Sequence, residues 1–178
     1  MSNENNYTNI SKLDAAKRQL ESAITMFFHF SDVVAIHTLT AAAHQILMDL
    51  GKKQGVKSLL KNTEYIKEEK INEFKKIISE AENFFKHADM DPKKVIKFNP
   101  KQTEALLYDT CEMYKNLSNE NPPLVALYVL WFYTDKPQFL LDQKAKEAAQ
   151  NTGLDPNKRE DYLKLLPNII SMTQKLDN

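Results

Sequence analysis

Only three glycines, Gly51, Gly55 and Gly153, occur in the 178 residues. A strand-rich fold needs a turn signal every ~8–12 residues, and glycine is the commonest residue at the positive-φ positions of tight turns. That scarcity removes most sandwiches and barrels and leaves helices, whose boundaries are well marked in this chain. Ser11, with Asp14 three residues on, forms a near capping box ahead of Leu13, Leu20, Ile24, Phe27 and Phe28, which recur at helical spacing as far as Phe30. Ser31 or Asp32 caps a second helix with the stripe Ile36, Leu39, Ala43, Ile46, Leu47 and Leu50, closed by Gly51. The link between these two helices is so short that they are expected to form an antiparallel pair.

Residues 52–63 read as a basic connector or a short helix, followed by a long third helix from about Glu64 to His87 with Ile71, Phe74, Ile77, Ile78, Ala81 and Phe85 on its core side. Asn99-Pro100 opens a fourth helix, with proline at its first position and Gln102 completing the capping pattern. Its inner face is Leu106, Leu107, Thr110, Met113, Tyr114 and Leu117. Pro122-Pro123 precedes a fifth helix, about 124–134, apolar almost all round and therefore expected at the centre of the domain. A sixth runs from Phe139 to Gln150, and a last one opens at Asp155-Pro156 and is interrupted by Pro167. The expectation is an all-α bundle of five to seven helices in antiparallel pairs, formed by residues 11–178 as one domain behind a flexible tail of residues 1–10.

Lysine plus arginine equal aspartate plus glutamate at 24 each. The net charge of zero argues against a strongly electrostatic grip on nucleic acid or membrane and removes one barrier to self-association. A single cysteine, Cys111, forms no internal disulfide, and the opening MSNENNYTNISK lacks the features of a signal peptide. The longest unbroken apolar run, Leu124–Tyr133, is about half of the ~20 residues of a spanning helix. A cytoplasmic protein without a membrane partner is expected.

The segment from Ala81 to Asp89 is the most informative for function. On a helix, Phe74, Ile78, Ala81 and Phe85 share one face, while Asn83 and His87, one turn apart, lie roughly opposite. An amide beside an imidazole, with Lys86 close by, suits phosphate binding, action on a hydroxyl, or contact with a partner subunit. The same residues also suit a solvated helix end, where His87 complements the dipole and Asp89 and Asp91 belong to the next turn.

The run Glu82-Asn83-Phe84-Phe85-Lys86-His87 resembles the motif of the HEPN family of small helical bundles, which carries an arginine, a polar residue and a histidine a few residues on, near a helix end. The resemblance implies a homodimer with the motif at its interface and, in many members, metal-independent RNA cleavage. It also implies a stress, defence or toxin–antitoxin setting. Asn83 and His87 match; where the family has arginine this chain has Glu82, whose carboxylate repels a phosphodiester. The substitution implies either a non-catalytic relative or another use of the same surface. The stretches Ser31–Leu50 and Glu82–Asp89 are also similar to short bacterial all-helical proteins.

His37 and His44 lie seven residues apart on the second helix, project almost the same way, and flank its apolar stripe, so both are expected to be half-buried members of a binding surface. At ~1.5 Å of rise per residue they are about 10 Å apart, too far to share one metal ion. No metal site and no cofactor is expected: there is no phosphate-binding glycine loop, no Cys/His zinc spacing and no Glu-x-x-His pair. Cys111 reads as a core thiol beside Glu112, and Tyr128, Trp131, Phe132 and Tyr133 as packing rather than a ligand pocket. The lysine-rich runs 52–61 and 67–76 read as solvated, ion-paired surface. The functional expectation is a self-associating interaction module with Asn83, Lys86 and His87 on its contact surface and Glu82, His37 and His44 as further binding candidates. The alternative is a metal-independent ribonuclease, with RNA or a nucleotide as ligand, in which His87 is the acid or base, Asn83 positions the phosphate and Lys86 stabilises charge.

Overall fold

The computed structural model describes residues 7–64, 66–89 and 91–176 and is all-helical, with no strand among the described residues. Most of the expected tail, residues 1–6, lies outside the described residues. The helices are α1 (Lys12–Phe28), α2 (Val33–Gly51), α3 (Ile71–Phe84), α4 (Lys101–Ser118), α5 (Pro123–Asp135), α6 (Gln143–Gln150), α7 (Arg159–Leu163) and α8 (Leu166–Leu176). The last two are one helix broken at Lys164–Leu165, just ahead of Pro167, so the bundle has the expected number of helices. Single 3-10 turns precede α3 (Glu68–Lys70) and α6 (Pro137–Phe139).

The punctuation acts as its chemistry dictates. The Ser11 hydroxyl accepts from the Asp14 amide at 3.1 Å while the Asp14 carboxylate accepts from the Ser11 amide at 3.2 Å, a complete capping box. Asp32, rather than Ser31, caps α2, accepting from the amides of Val34 and Ala35. At the start of α4 the Asn99 side chain accepts from the Lys101 amide at 3.1 Å. Gly51 is required by packing: a Cβ there would lie 2.7 Å from the Val56 carbonyl oxygen.

α2 packs on α1 on one side and on α4 on the other, and α5 touches α1, α4, α6, α7 and α8. The core lies between them: Leu20, Ile24, Phe27 and Phe28 of α1, Leu47 of α2, Leu107 and Tyr114 of α4, Leu127, Tyr128 and Trp131 of α5, and Tyr162 of α7. Each large side chain so buried contributes roughly 1.5–3 kcal/mol. By length and hydropathy α2 alone among the described helices is able to cross a membrane, and its His37, Thr40 and His44 are buried in the bundle.

Four boundaries depart from the sequence expectation. The last helix opens at Arg159 rather than at Asp155-Pro156, where the Asp155 side chain accepts from the Asn157 amide in a turn. α3 begins at Ile71 rather than Glu64, because the Asn62 side chain accepts from the Glu64 amide at 2.9 Å and Glu64 pairs with Lys57, fixing residues 62–64 as a turn. It ends at Phe84 rather than His87, where the amides of Lys86 and His87 both donate to the Asn83 carbonyl. α6 starts at Gln143 rather than Phe139 because the Asp142 side chain caps it through the Ala145 amide.

Candidate functional site

The end of α3 carries Asn83 as the last exposed polar residue of the helix, and the chain then folds over through Phe85. Because Lys86 and His87 hang from the Asn83 carbonyl, His87 stays close to that last turn although it lies outside the helix. Asn83 and His87 are both exposed and line one surface depression of about 400 Å3 with Lys76, Glu80, Phe84, Asp89, Asp91 and Lys94. Lys94 pairs with Glu80 at 3.1 Å and with Asp91 at 3.6 Å, and the hydrogen bond it donates to the Glu80 carboxylate raises its pKa above the usual lysine value. Three carboxylates thus face two lysines and the imidazole across the depression.

Lys86 does not line this depression. It turns toward Glu82, Nζ to carboxylate 3.5 Å, and Glu82 also holds Lys61 of the connector at 2.8 Å. Glu82 itself is 8% exposed, turned inward rather than onto the binding surface expected for it. Burial works to raise its pKa, but the hydrogen bond and charge of Lys61, followed by Lys86, outweigh that and hold it below the ordinary glutamate value. In sequence residues 81–89 read as a local unit; the partner that draws Glu82 inward lies 21 residues upstream.

His37 and His44 are buried rather than half-buried. His37 Nδ1 bonds to the Thr103 hydroxyl of α4 at 3.0 Å, with Phe85 and Phe98 edge-on to its ring. Burial pushes its pKa down to about 4, so the ring is neutral at pH 7. His44 Nε2 lies 2.9 Å from Asp109 Oδ2. The Asp109 carboxylate, 1% exposed, also accepts from the Ser58 hydroxyl at 2.5 Å and from the amides of Leu59 at 2.8 Å and Leu60 at 3.3 Å. Burial opposes its charge, yet the donors His44, Ser58 and Leu59 together hold its pKa below the ordinary aspartate value.

Serine, histidine and aspartate are the residue types of a nucleophilic triad, but the order is wrong for catalysis. In a working triad the hydroxyl is bonded to the imidazole, which takes its proton. Here the carboxylate sits in the middle, and all three side chains are buried. The cluster is a clamp that fastens residues 58–60 to α2 and α4. Asp109 is absent from the sequence-based candidates although a signal exists: it stands between Leu106 and Met113 on the inner face of α4, a charge where an apolar residue is expected.

The remaining candidates are structural. Cys111 is completely buried, and burial, then Glu112, pushes its thiol pKa well up, which suppresses the thiolate. The α5 aromatics pack as expected: Trp131 lies edge-on to Phe27 at 4.5 Å and donates to the Pro156 carbonyl, Tyr128 donates to the Glu104 carbonyl, and Phe132 stacks on Tyr108 at 4.0 Å. Arg159 caps this cluster, its guanidinium 3.8 Å from the Phe27 ring centroid and paired with Glu104. Among the described residues no group of three or more His, Cys, Asp or Glu side chains is placed to hold a metal ion. Comparison of the chain with protein-family models, with curated proteins and with solved structures found no match.

Proposed function

We propose that the protein is a cytoplasmic, non-enzymatic interaction module, a HEPN-like bundle that forms a homodimer through the outer face of α3. The observation that carries this reading is the poor coverage of α3 by its own chain. Of its 14 residues only Ala81 and Glu82 are buried, although the helix is amphipathic, and Ile77, expected on the core side, stands 56% exposed between Lys76 and Glu80, about two turns before Asn83 and Phe84. A two-fold contact repeats one patch on both copies. With antiparallel helices crossing beside Ile78, Lys76 of one copy faces Glu80 of the other while the two Ile77 side chains cover each other. Zero net charge adds no long-range repulsion. Light scattering tests it: a dimer is expected at micromolar concentration, converted to monomer by Ile77→Asp and weakened by Lys76→Glu, with recovery when Glu80→Lys is added. A wild-type monomer at millimolar concentration rejects the reading.

The ribonuclease reading keeps one supporting observation, the shared depression of Asn83 and His87. Glu80, Asp89 and Asp91 in the same depression oppose a phosphodiester, and Lys86 is engaged by Glu82. Cleavage of RNA by clean wild-type protein, lost in His87→Ala with the fold intact, is the result that would favour it over the interaction module.

A further inference from the structure

Where α2 ends, residues 52–64 fold back and enclose a cavity of about 460 Å3, and a slot of about 260 Å3 opens between α2 and α3. Both are walled by Met48 and Lys61, so the two spaces adjoin across those side chains and are named together as the groove. Met48, Val56, Phe74 and Ile78 give it an apolar lining, each partly exposed into it. Its charged lining is one-sided: Lys52, Lys57, Lys61 and Lys75 against the single carboxylate of Glu64. In a chain with equal numbers of acidic and basic residues, that is a local segregation of positive charge. Lys52, Lys57 and Lys61 have carboxylate partners in Asp49, Glu64 and Glu82, whereas Lys75, on the slot, has no ion-pair partner among the described residues.

The walls are built rather than loose. The Asp109 clamp fixes Ser58, Leu59 and Leu60, and the missing side chain of Gly51 lets the Val56 carbonyl close in. A pre-formed apolar cleft with a few placed charges is the usual form of a small-molecule site, and pre-organisation lowers the entropy lost on binding. The slot, at about 260 Å3, is smaller than the ~300–1,000 Å3 of drug-sized sites, which suits a ligand of few heavy atoms such as an unbranched chain.

We propose that this groove binds a small amphipathic anion, a medium-chain carboxylate whose apolar chain lies on Met48, Phe74 and Ile78 and whose head group meets Lys61 and Lys75. The site uses the inner edge of α3, not its outer face, and so stands apart from the self-association reading.

Three glycines give an amide spectrum well suited to the test, because Gly51 and Gly55 line the groove and Gly153 does not. Sodium decanoate titrated into the labelled full chain is expected to shift the Gly51 and Gly55 resonances saturably and leave Gly153 in place. Decanol is expected to bind more weakly, and decyltrimethylammonium not at all. Lys75→Glu, at an exposed position, is expected to weaken decanoate binding by roughly tenfold, the scale of reversing one half-exposed charge contact. No saturable shift with decanoate, equal shifts at Gly153, or equal binding of the cationic amphiphile overturns the proposal. Shifts at Gly51 and Gly55 that follow protein concentration without any ligand also overturn it, by assigning the groove to a second copy of the chain.

Discussion

Replacing Asp109 by asparagine keeps the volume of the side chain and removes its charge, which isolates the clamp from any cavity effect. In the native protein one carboxylate receives four donors, of which His44 Nε2 and Ser58 Oγ are fully enclosed and the amides of Leu59 and Leu60 are partly so. Hydrogen bonds to a charged group contribute about 1.5–3 kcal/mol each, and a buried donor left without a partner costs about 1–3 kcal/mol. In the variant the new amide nitrogen takes one of the two oxygen positions, which leaves at least one donor without an acceptor, and the contacts that remain lose the charge. The expected destabilisation is roughly 3–5 kcal/mol, the range for breaking a buried charged pair. Against a typical total of ~5–15 kcal/mol this is a large share, and it lowers Tm by roughly 10 °C in a chain of this size. Urea unfolding at pH 7 measures it, with a lower midpoint and an unchanged slope. Hydrogen exchange adds the local signature, lost protection at Leu59 and Leu60. The sign with pH is also fixed: because the folded pKa lies below the unfolded value near ~3.9, the clamp's contribution is present above that pH and disappears as pH falls through the folded pKa. The variant therefore loses part of the acid limb of the stability curve. A change below about 0.5 kcal/mol, the level of an ordinary surface substitution, refutes the reasoning, as does unaltered protection at both amides.

Two further perturbations probe the same region. His37, with its folded pKa pushed down to about 4 against ~6.5 unfolded, binds fewer protons folded than unfolded between those values, so its contribution is complete above pH ~6.5 and falls as pH drops toward 4. Unfolding of His37→Phe measured from pH 7 to 4 is expected to show a flatter dependence by up to about 3 kcal/mol, and a curve parallel to wild type counts against a buried neutral ring. Gly51→Ala places a methyl group 2.7 Å from the Val56 carbonyl oxygen, a backbone atom, and is expected to lower stability by about 1–3 kcal/mol in thermal unfolding; a neutral result means that residues 52–56 move aside freely.

What the sequence made legible is what depends on near neighbours. The Ser11–Asp14 box, the Asp32 cap and the Pro122-Pro123 start of α5 each act within four residues, and the helices they announce are present. The all-round apolarity of α5 predicts a central helix, and its Tyr128 and Trp131 lie in the core. The failures share the opposite property. The shortening of α3 by the Asn62 turn is the local exception; the candidate site is rearranged by pairs that join residues far apart in the chain: Lys61 to Glu82, Ser58 to Asp109, His44 to Asp109. Periodicity states which face of a helix turns inward. It does not state which loop will come to meet that face.

Glu82 is the position where this matters most. Beside Asn83 and His87 in the sequence it reads as a surface carboxylate standing where a HEPN-type motif carries arginine. An exposed carboxylate there would set the sign of the whole surface. Instead Lys61, whose amide is fastened to the Ser58 hydroxyl at 2.8 Å, reaches across and holds it inside, with Lys86 as second partner. Lys61 thereby neutralises the negative charge within the fold, and Lys86, turned toward the same carboxylate, leaves the trio with one net positive charge. The outer face of α3 is left with an amide, an imidazole, an uncovered isoleucine and alternating Lys76 and Glu80. Those groups lack the concentrated positive charge that draws a polyanion, and they have the mixed polarity and modest apolar area that a second protein surface can match.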